Sequence, residues 1–280
     1  MGPRTKDETA LKSKSIKILS VMSAFVALVG MYGVASAKML KVCYDQWAPM
    51  TIFPTDEETG RGVVIDMLDE IYVSQGYEIE YYEVPLARGI AMVADGDCDM
   101  LPEYVYVAEA EKDVVYAEEI TFAYTTAFVI RRDDPWRYDG VKSMEGKRVA
   151  TGPGWDYSAA SVDYQNYIDN PANNAFVEVI SGYDDVVDRI FTMIRDGRVD
   201  LYADNELVLQ YVLNRLDMND DLQVVRPGLE EKLVERAIFS RKMSTERRDE
   251  LIRIWNEGRI AMKGAKEQAF LQKYNVMFKE

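Results

Sequence analysis

Four short stretches of this sequence carry side chains able to do chemistry, and all four are acidic and aromatic. They are Asp45-Gln46-Trp47, the segment Pro102 to Tyr106 with Glu103, Tyr104 and Tyr106, then Trp155-Asp156, and Asp204-Asn205-Glu206. A carboxylate beside an aromatic ring accepts N–H and O–H donors and holds a positive charge, while the ring face stacks or attracts a cation. The chemistry is that of binding. One basic residue, Arg88, stands in the first turn of the helix that follows Pro85, where it reads either as the site's cation or as a solvated helix residue. Trp47 and Trp155 have core packing as their other reading. The chain has no histidine, which removes His-based metal sites and Ser-His or Cys-His nucleophiles. Gly152-Pro153-Gly154 lacks the Lys-Ser/Thr of a phosphate loop and reads more simply as a strand–helix turn. No metal or cofactor is expected.

The elements that must position these residues are organised around Pro85 to Arg132. Leu86, Ile90 and Val93 repeat at helical spacing, Asp95-Gly96-Asp97 turns, and a strand near Asp99–Leu101 ends in Pro102-Glu103-Tyr104. A β-rich run, Ile120 to Arg132, then leaves the unit, so the stretch reads as one cleft wall plus a hinge. In open α/β sheets ligands sit beyond the carboxyl ends of strands, where Pro102–Tyr106 falls. Upstream, strand Lys38–Tyr44, helix Val63–Ser74 and strand Tyr77–Val84 complete a β-α-β-α-β order, which implies a parallel sheet. A second unit repeats this grammar: strand Lys147–Thr151, a helix from about Ser158, strand Phe176–Ile180, helix Tyr183–Arg195 and strand Val199–Ala203. Asp95-Gly96-Asp97-Cys98-Asp99 matches Asp196-Gly197-Arg198-Val199-Asp200 in architecture. Helix Leu207–Leu216, strands Leu222–Val225 and Leu233–Ser240, and helices Ser244–Met262 and Ala265–Tyr274 follow, the last as a brace on the first unit.

A net charge of −15 argues against nucleic acid and anionic membrane as partners. Residues 1–37 read as a secretory signal peptide. Lys12, Lys14 and Lys17 precede an apolar run, Ile18 to Val34, that ends in Ala35-Ser36-Ala37; an uncleaved anchor is the other reading. The protein is therefore expected in the periplasm. An oxidising compartment permits a Cys43–Cys98 disulfide, and two separate buried thiols are equally compatible with the sequence.

Taken together the pieces resemble the extracytoplasmic solute-binding proteins of ABC importers, family 3, the polar amino acid group. The resemblance rests on Val42-Cys43-Tyr44-Asp45 through Ala48-Pro49, on Gly62 before Val63-Val64-Ile65-Asp66-Met67, and on the two Asp-Gly repeats. Gly146-Lys147-Arg148-Val149-Ala150, Phe239-Ser240-Arg241-Lys242 and Lys273-Tyr274 complete it. It implies an α/β, two-lobed type II periplasmic-binding-protein fold: two mixed, mostly parallel sheets flanked by helices and joined by two hinge strands. Lobe 1 would be 38–132 plus 227–280, and lobe 2 would be 133–226. The implied function is extracytoplasmic binding of a small polar solute in the interlobe cleft, with hinge closure, by a monomer that serves an ABC permease or a membrane sensor. The alternatives are a periplasmic enzyme on the same fold, cyclohexadienyl dehydratase-like, and a ligand-sensing domain. Carried over residue by residue, Trp47 matches a stacking aromatic, Glu103 and Tyr104 replace hydroxyl residues, and Trp155 and Asp156 fall on hydroxyl positions of lobe 2. The family's amine-binding carboxylate falls on Asn205, beside Asp204. Its carboxylate-binding arginine falls on Glu111, a charge reversal, so an ordinary α-amino acid ligand is not expected.

Overall fold

The computed structural model describes residue 2 and residues 38–55, 60–226 and 228–276. The signal-peptide reading of residues 1–37 lies outside them. Residues from Lys38 onward form one compact unit, built on two five-stranded sheets.

The first sheet has the order β2-β1-β3-β10-β4. β1 (Lys38–Tyr44) lies parallel to β2 (Tyr77–Glu83) and to β3 (Met100–Val105), while β10 (Leu233–Ser240) runs antiparallel to β3 and to β4 (Val114–Tyr124). The second sheet repeats this plan. β6 (Val149–Thr151) is parallel to β7 (Val177–Val179) and β8 (Leu201–Asn205), and β5 (Thr126–Arg131) is antiparallel to β8 and β9 (Leu222–Val225). Each sheet is thus mixed: its parallel half comes from β-α-β crossovers, and its antiparallel half from the strands that pass between sheets.

The helices form where apolar spacing and caps require. α1 (Val63–Val73) buries Val64, Met67, Leu68 and Ile71, the i, i+3, i+4, i+7 face of a core-facing helix. α2 (Leu86–Asp95) ends at Gly96, whose left-handed φ of 87° suits a residue without Cβ. α3 (Val162–Asp169) is capped by the Ser161 hydroxyl, which accepts from Tyr164 N–H. It starts later than the expected Ser158, because residues 157–160 form turns that seat the Tyr157 ring in the core. α4 (Val186–Arg195) buries Ile190, Phe191 and Ile194, and α5 (Glu206–Arg215) is capped by Asn205. α6 (Thr245–Met262) and α7 (Ala265–Lys273) close the chain. α7 braces the first lobe as expected: Lys273 and the Tyr274 hydroxyl bond to Asp66 Oδ2, and Lys266 pairs with Glu70.

The Asp-Gly repeats prove structural. Asp99 Oδ2 accepts the Lys41 backbone N–H at 2.9 Å and the Arg247 guanidinium at 2.9 Å. Asp200 Oδ2 likewise accepts the Arg148 backbone N–H at 2.8 Å, and its Oδ1 takes the Arg148 guanidinium at 3.1 Å. Each aspartate ties the start of its strand to the strand beside it. Cys43 and Cys98 form a disulfide across the same junction of the first lobe.

Three expectations change. Pro102, Glu103 and Tyr104 do not follow β3; they lie within it, buried. Between the pairs Leu101↔Ile238 and Tyr104↔Arg236 the register shifts, so Pro102 and Glu103 together face Ala237. This bulge accommodates a proline, which has no N–H for the ladder. The run Ile120–Arg132 is two strands broken at Thr125, not one. β5 pairs with β8 and β9, so the chain crosses between sheets at Tyr124–Thr126 rather than at Arg132. The return crossing packs against it, with Leu229 N–H donating to Thr126 O at 3.2 Å. A Cβ on Gly228 would collide with that same carbonyl, so only glycine lets the crossings lie this close.

Candidate functional site

Between the sheets lies a cleft enclosing about 520 Å³ of empty space, some of it open to solvent. Its lining comes from the ends of β1, β3, β4, β8 and β10, from the start of α2, and from the loop after β6. Seven of the nine residues expected at the site line it: Asp45, Trp47, Glu103, Tyr104, Trp155, Asp156 and Asp204.

The aromatic walls are held by specific packing. The Trp47 ring lies 5.7 Å from that of Tyr124. Trp155 lies 5.5 Å from Tyr202 and is folded flat over Gly152, where any Cβ would strike the indole. Tyr104 stacks on Tyr116 with its plane tilted by only 11°. Tyr157 donates to Ala203 O at 2.9 Å.

The lobes touch across the cleft. Trp47 Nε1, from the first lobe, donates to both Asp204 oxygens at 3.1 and 3.2 Å. The Tyr183 hydroxyl donates to Glu83 O at 2.9 Å near the rim. Gly154 sits against Ala87 of α2.

The electrostatics are one-sided. Glu103 is 4% exposed; its Oε1 accepts from Thr51 Oγ1 at 2.9 Å, and Oε2 has no hydrogen-bond partner. Glu235, 6% exposed, accepts from the Tyr124 hydroxyl at 3.3 Å, and its Oε2 is also unpartnered. Burial, and then the neighbouring carboxylates, push both well above the usual carboxylate range. Asp45 is pushed up to about 7 by burial and by Asp204. Burial pushes Asp204 up as well, but only to about 6, because Tyr202, Trp47 and its neighbour's N–H all donate to it. Asp156 is engaged locally, accepting the Ser158 N–H at 2.8 Å. Among the described residues no lysine or arginine lines the cleft.

Two expected residues are not there. Leu86 faces the cleft, and a helix turns about 100° per residue, so Arg88 points some 200° away and is exposed. Tyr106 follows the end of β3, is 44% exposed, and packs on the outer side of Tyr116. Glu111 is exposed on a single 3₁₀ turn, Ala108–Lys112, and does not line the cleft. Glu206 opens α5 and pairs with Arg226. Sequence reading missed Glu235 and Tyr124. Glu235 had a signal, since in strand Leu233–Ser240 it shares the inward face with Leu233 and Ala237.

Solved structures share this architecture. An ancestral arginine-binding protein bound to glutamine superposes with a TM-score of 0.67 at 16% identity, covering 86% of this chain and 99% of that one. A histidine kinase sensor domain with similarity to periplasmic binding proteins gives 0.68 at 14%, covering 86% and 98%. The substrate-binding protein of an amino acid ABC transporter gives 0.66 at 15%, covering 85% and 99%. At such identities the likeness is one of fold. No curated protein sequence matches significantly. The family pattern, by contrast, spans residues 40–277, and the chain belongs to the bacterial extracellular solute-binding proteins, family 3.

Proposed function

We propose that this protein is exported by its N-terminal segment to the periplasm, closes its two lobes around a small polar solute, and delivers it to an ABC-type membrane importer. The observation that carries this reading is the cleft itself. Its walls come from both sheets, at strand carboxyl ends and, for Leu233 and Glu235, at the amino end of β10, and among the described residues the two sheets connect through two adjacent crossings, 124–126 and 225–233. Two such strands form a natural hinge, and a ligand touching both lobes favours the closed arrangement by its differential contacts. The Trp47–Asp204 bond would form on closure.

A role as a membrane sensor is the second reading, favoured by the fold shared with a kinase sensor domain. Both roles use the same binding event. A thermal-shift screen of amino acids, amines, organic acids and sugars tests it: a solute at 100 times its Kd should stabilise the protein by about 2.7 kcal/mol. A small-angle scattering profile unchanged by that solute would count against hinge closure.

A further inference from the structure

We infer that the cleft takes a small organic cation bearing N–H groups and no carboxylate, an aliphatic amine or diamine, with its N–H groups donated to Glu103 and Glu235. This rests on the reading of the cleft as a solute site and names the chemical class that site would accept.

The first observation is two orphaned acceptors. Glu103 Oε2 and Glu235 Oε2 belong to nearly inaccessible carboxylates that line the cleft, and neither has a partner. A buried acceptor without a donor is costly, and a ligand N–H removes that cost. A quaternary ammonium has no N–H to give. The second observation is charge: Asp45, Asp156 and Asp204 add three more carboxylates to the lining, and no described lysine or arginine offsets them. An α-carboxylate would face a lining rich in acidic side chains and buried oxygen acceptors, with no guanidinium to receive it. The third is the aromatic box. Trp47, Tyr104, Tyr124 and Trp155 surround the same space, and their faces attract an ammonium or cover a methylene chain. A metal ion fits less well: among the described residues no three His, Cys, Asp or Glu side chains gather closely enough to hold one.

The decisive comparison uses two molecules that differ by one carboxylate. 1,4-Diaminobutane and ornithine share an aminoalkyl chain, and calorimetry at pH 7.5 should find the diamine bound about 100-fold more tightly. Tetramethylammonium should bind weakly or not at all. Glu103→Gln should weaken diamine binding about 30-fold, and Glu235→Gln should do the same. If either variant fails to fold, the pair of ligands on the unaltered protein decides the matter. Ornithine binding as tightly as the diamine overturns the inference. So does calcium binding in place of the amine. A neutral or acidic amino acid, or a sugar, binding where no amine does would keep the solute-binding reading and remove this one. No binding by any of these at millimolar concentration removes both.

Discussion

Glu103 and Asp204 occupy matching places in the two halves of the molecule. Each lies four residues beyond a structural aspartate, Asp99 or Asp200, that fixes the start of its strand. Each ends up buried in the cleft. Their supply of donors differs. Asp204 receives hydrogen bonds from Trp47, Tyr202 and the Asn205 N–H, whereas Glu103 receives one, from Thr51. The same backbone position thus carries a carboxylate well supplied with donors on one side and one that lacks them on the other. The fold sets where the acid stands, and the local donors set its charge. The asymmetry is one of occupancy: Asp204 bridges the lobes through Trp47, and Glu103 keeps one oxygen without a partner.

The largest expected difference between the halves lies beneath this pair. Cys43 and Cys98 correspond by the same alignment to Ala150 and Val199, all fully buried. The first lobe is therefore cross-linked where the second is only packed. With a sequence separation of 55, loop entropy predicts that reduction costs about 4 kcal/mol. Hydrogen exchange after reduction should show protection lost in β1 and β3 while β6 and β8 are unchanged. Equal loss in both sheets would mean that the halves unfold as one unit and the comparison does not extend to stability.

Neutralising the two carboxylates sharpens the comparison further. Glu103→Gln replaces a buried carboxyl that only Thr51 supports, and urea unfolding at pH 7 should show a gain on the order of 1 kcal/mol. Asp204→Asn places an amide N–H₂ against donors that already point at it, and should cost about 1–3 kcal/mol. Opposite signs are the expected result; the same sign for both would show that donor supply does not distinguish them.

Titration gives a third test. A carboxyl whose folded-state pKa is raised keeps its proton in the native state after the unfolded chain has lost it. Its contribution is most favourable below the unfolded value and declines as pH rises towards the folded one. For Asp45, raised from 3.8 to about 7, and Asp204, raised to about 6, that window runs from about pH 4 to about pH 7. Glu103 and Glu235 extend it upward. The other ionisable groups facing the cleft are Asp156 and the phenols of Tyr104, Tyr124 and Tyr157, and burial raises all three phenols. Asp45 keeps some exposure, so its share is smaller than burial alone implies. Asp134 and Asp200, lowered by Lys147 and Arg148, act oppositely and protect the fold above about pH 4. The solute-free protein should therefore gain on the order of 2 kcal/mol between pH 8 and pH 5, seen as a rising Tm. A Tm that falls over that range would contradict the buried carboxylate cluster.

Much of this was legible in the sequence. The Asp-Gly repeats, the helical faces and the order of strands follow from local spacing, and through them Glu103 and Asp204 could be expected at the cleft they line. Glu235 was legible too, as a carboxylate on the inward face of an alternating strand, but only to a reader weighing parity over family resemblance. Arg88 needed the rotation of its helix relative to Leu86. Other features were not local. The bulge that admits Pro102 depends on β10, far along the chain. An unbroken β-rich run such as Ile120–Arg132 does not say which sheet each half will join. Counting alone put Glu111 at the site, yet whether a side chain on a 3₁₀ turn faces a cleft depends on how that turn packs.

The smallest expected effect concerns the rim. Among the described residues two side-chain hydrogen bonds of different character join the lobes: Trp47 to Asp204 inside the cleft, and Tyr183 to the Glu83 carbonyl outside it. The inner bond joins a donor to a buried carboxylate, and charged bonds of that kind contribute about 1.5–3 kcal/mol. The outer one joins a phenol that is 53% exposed to a backbone carbonyl that water can serve equally well. Phe53, 5.2 Å from the Tyr183 ring, adds a contact that a phenylalanine would keep. Tyr183→Phe should therefore weaken solute binding by no more than about 0.5 kcal/mol, roughly a factor of two in Kd. Trp47→Phe, which keeps a ring but loses the N–H, should weaken it tenfold or more. Isothermal titration of both variants with the best solute from the screen measures the two side by side. If Tyr183→Phe proves the more damaging, closure is governed at the rim, and the donors around Asp204 serve the second lobe alone.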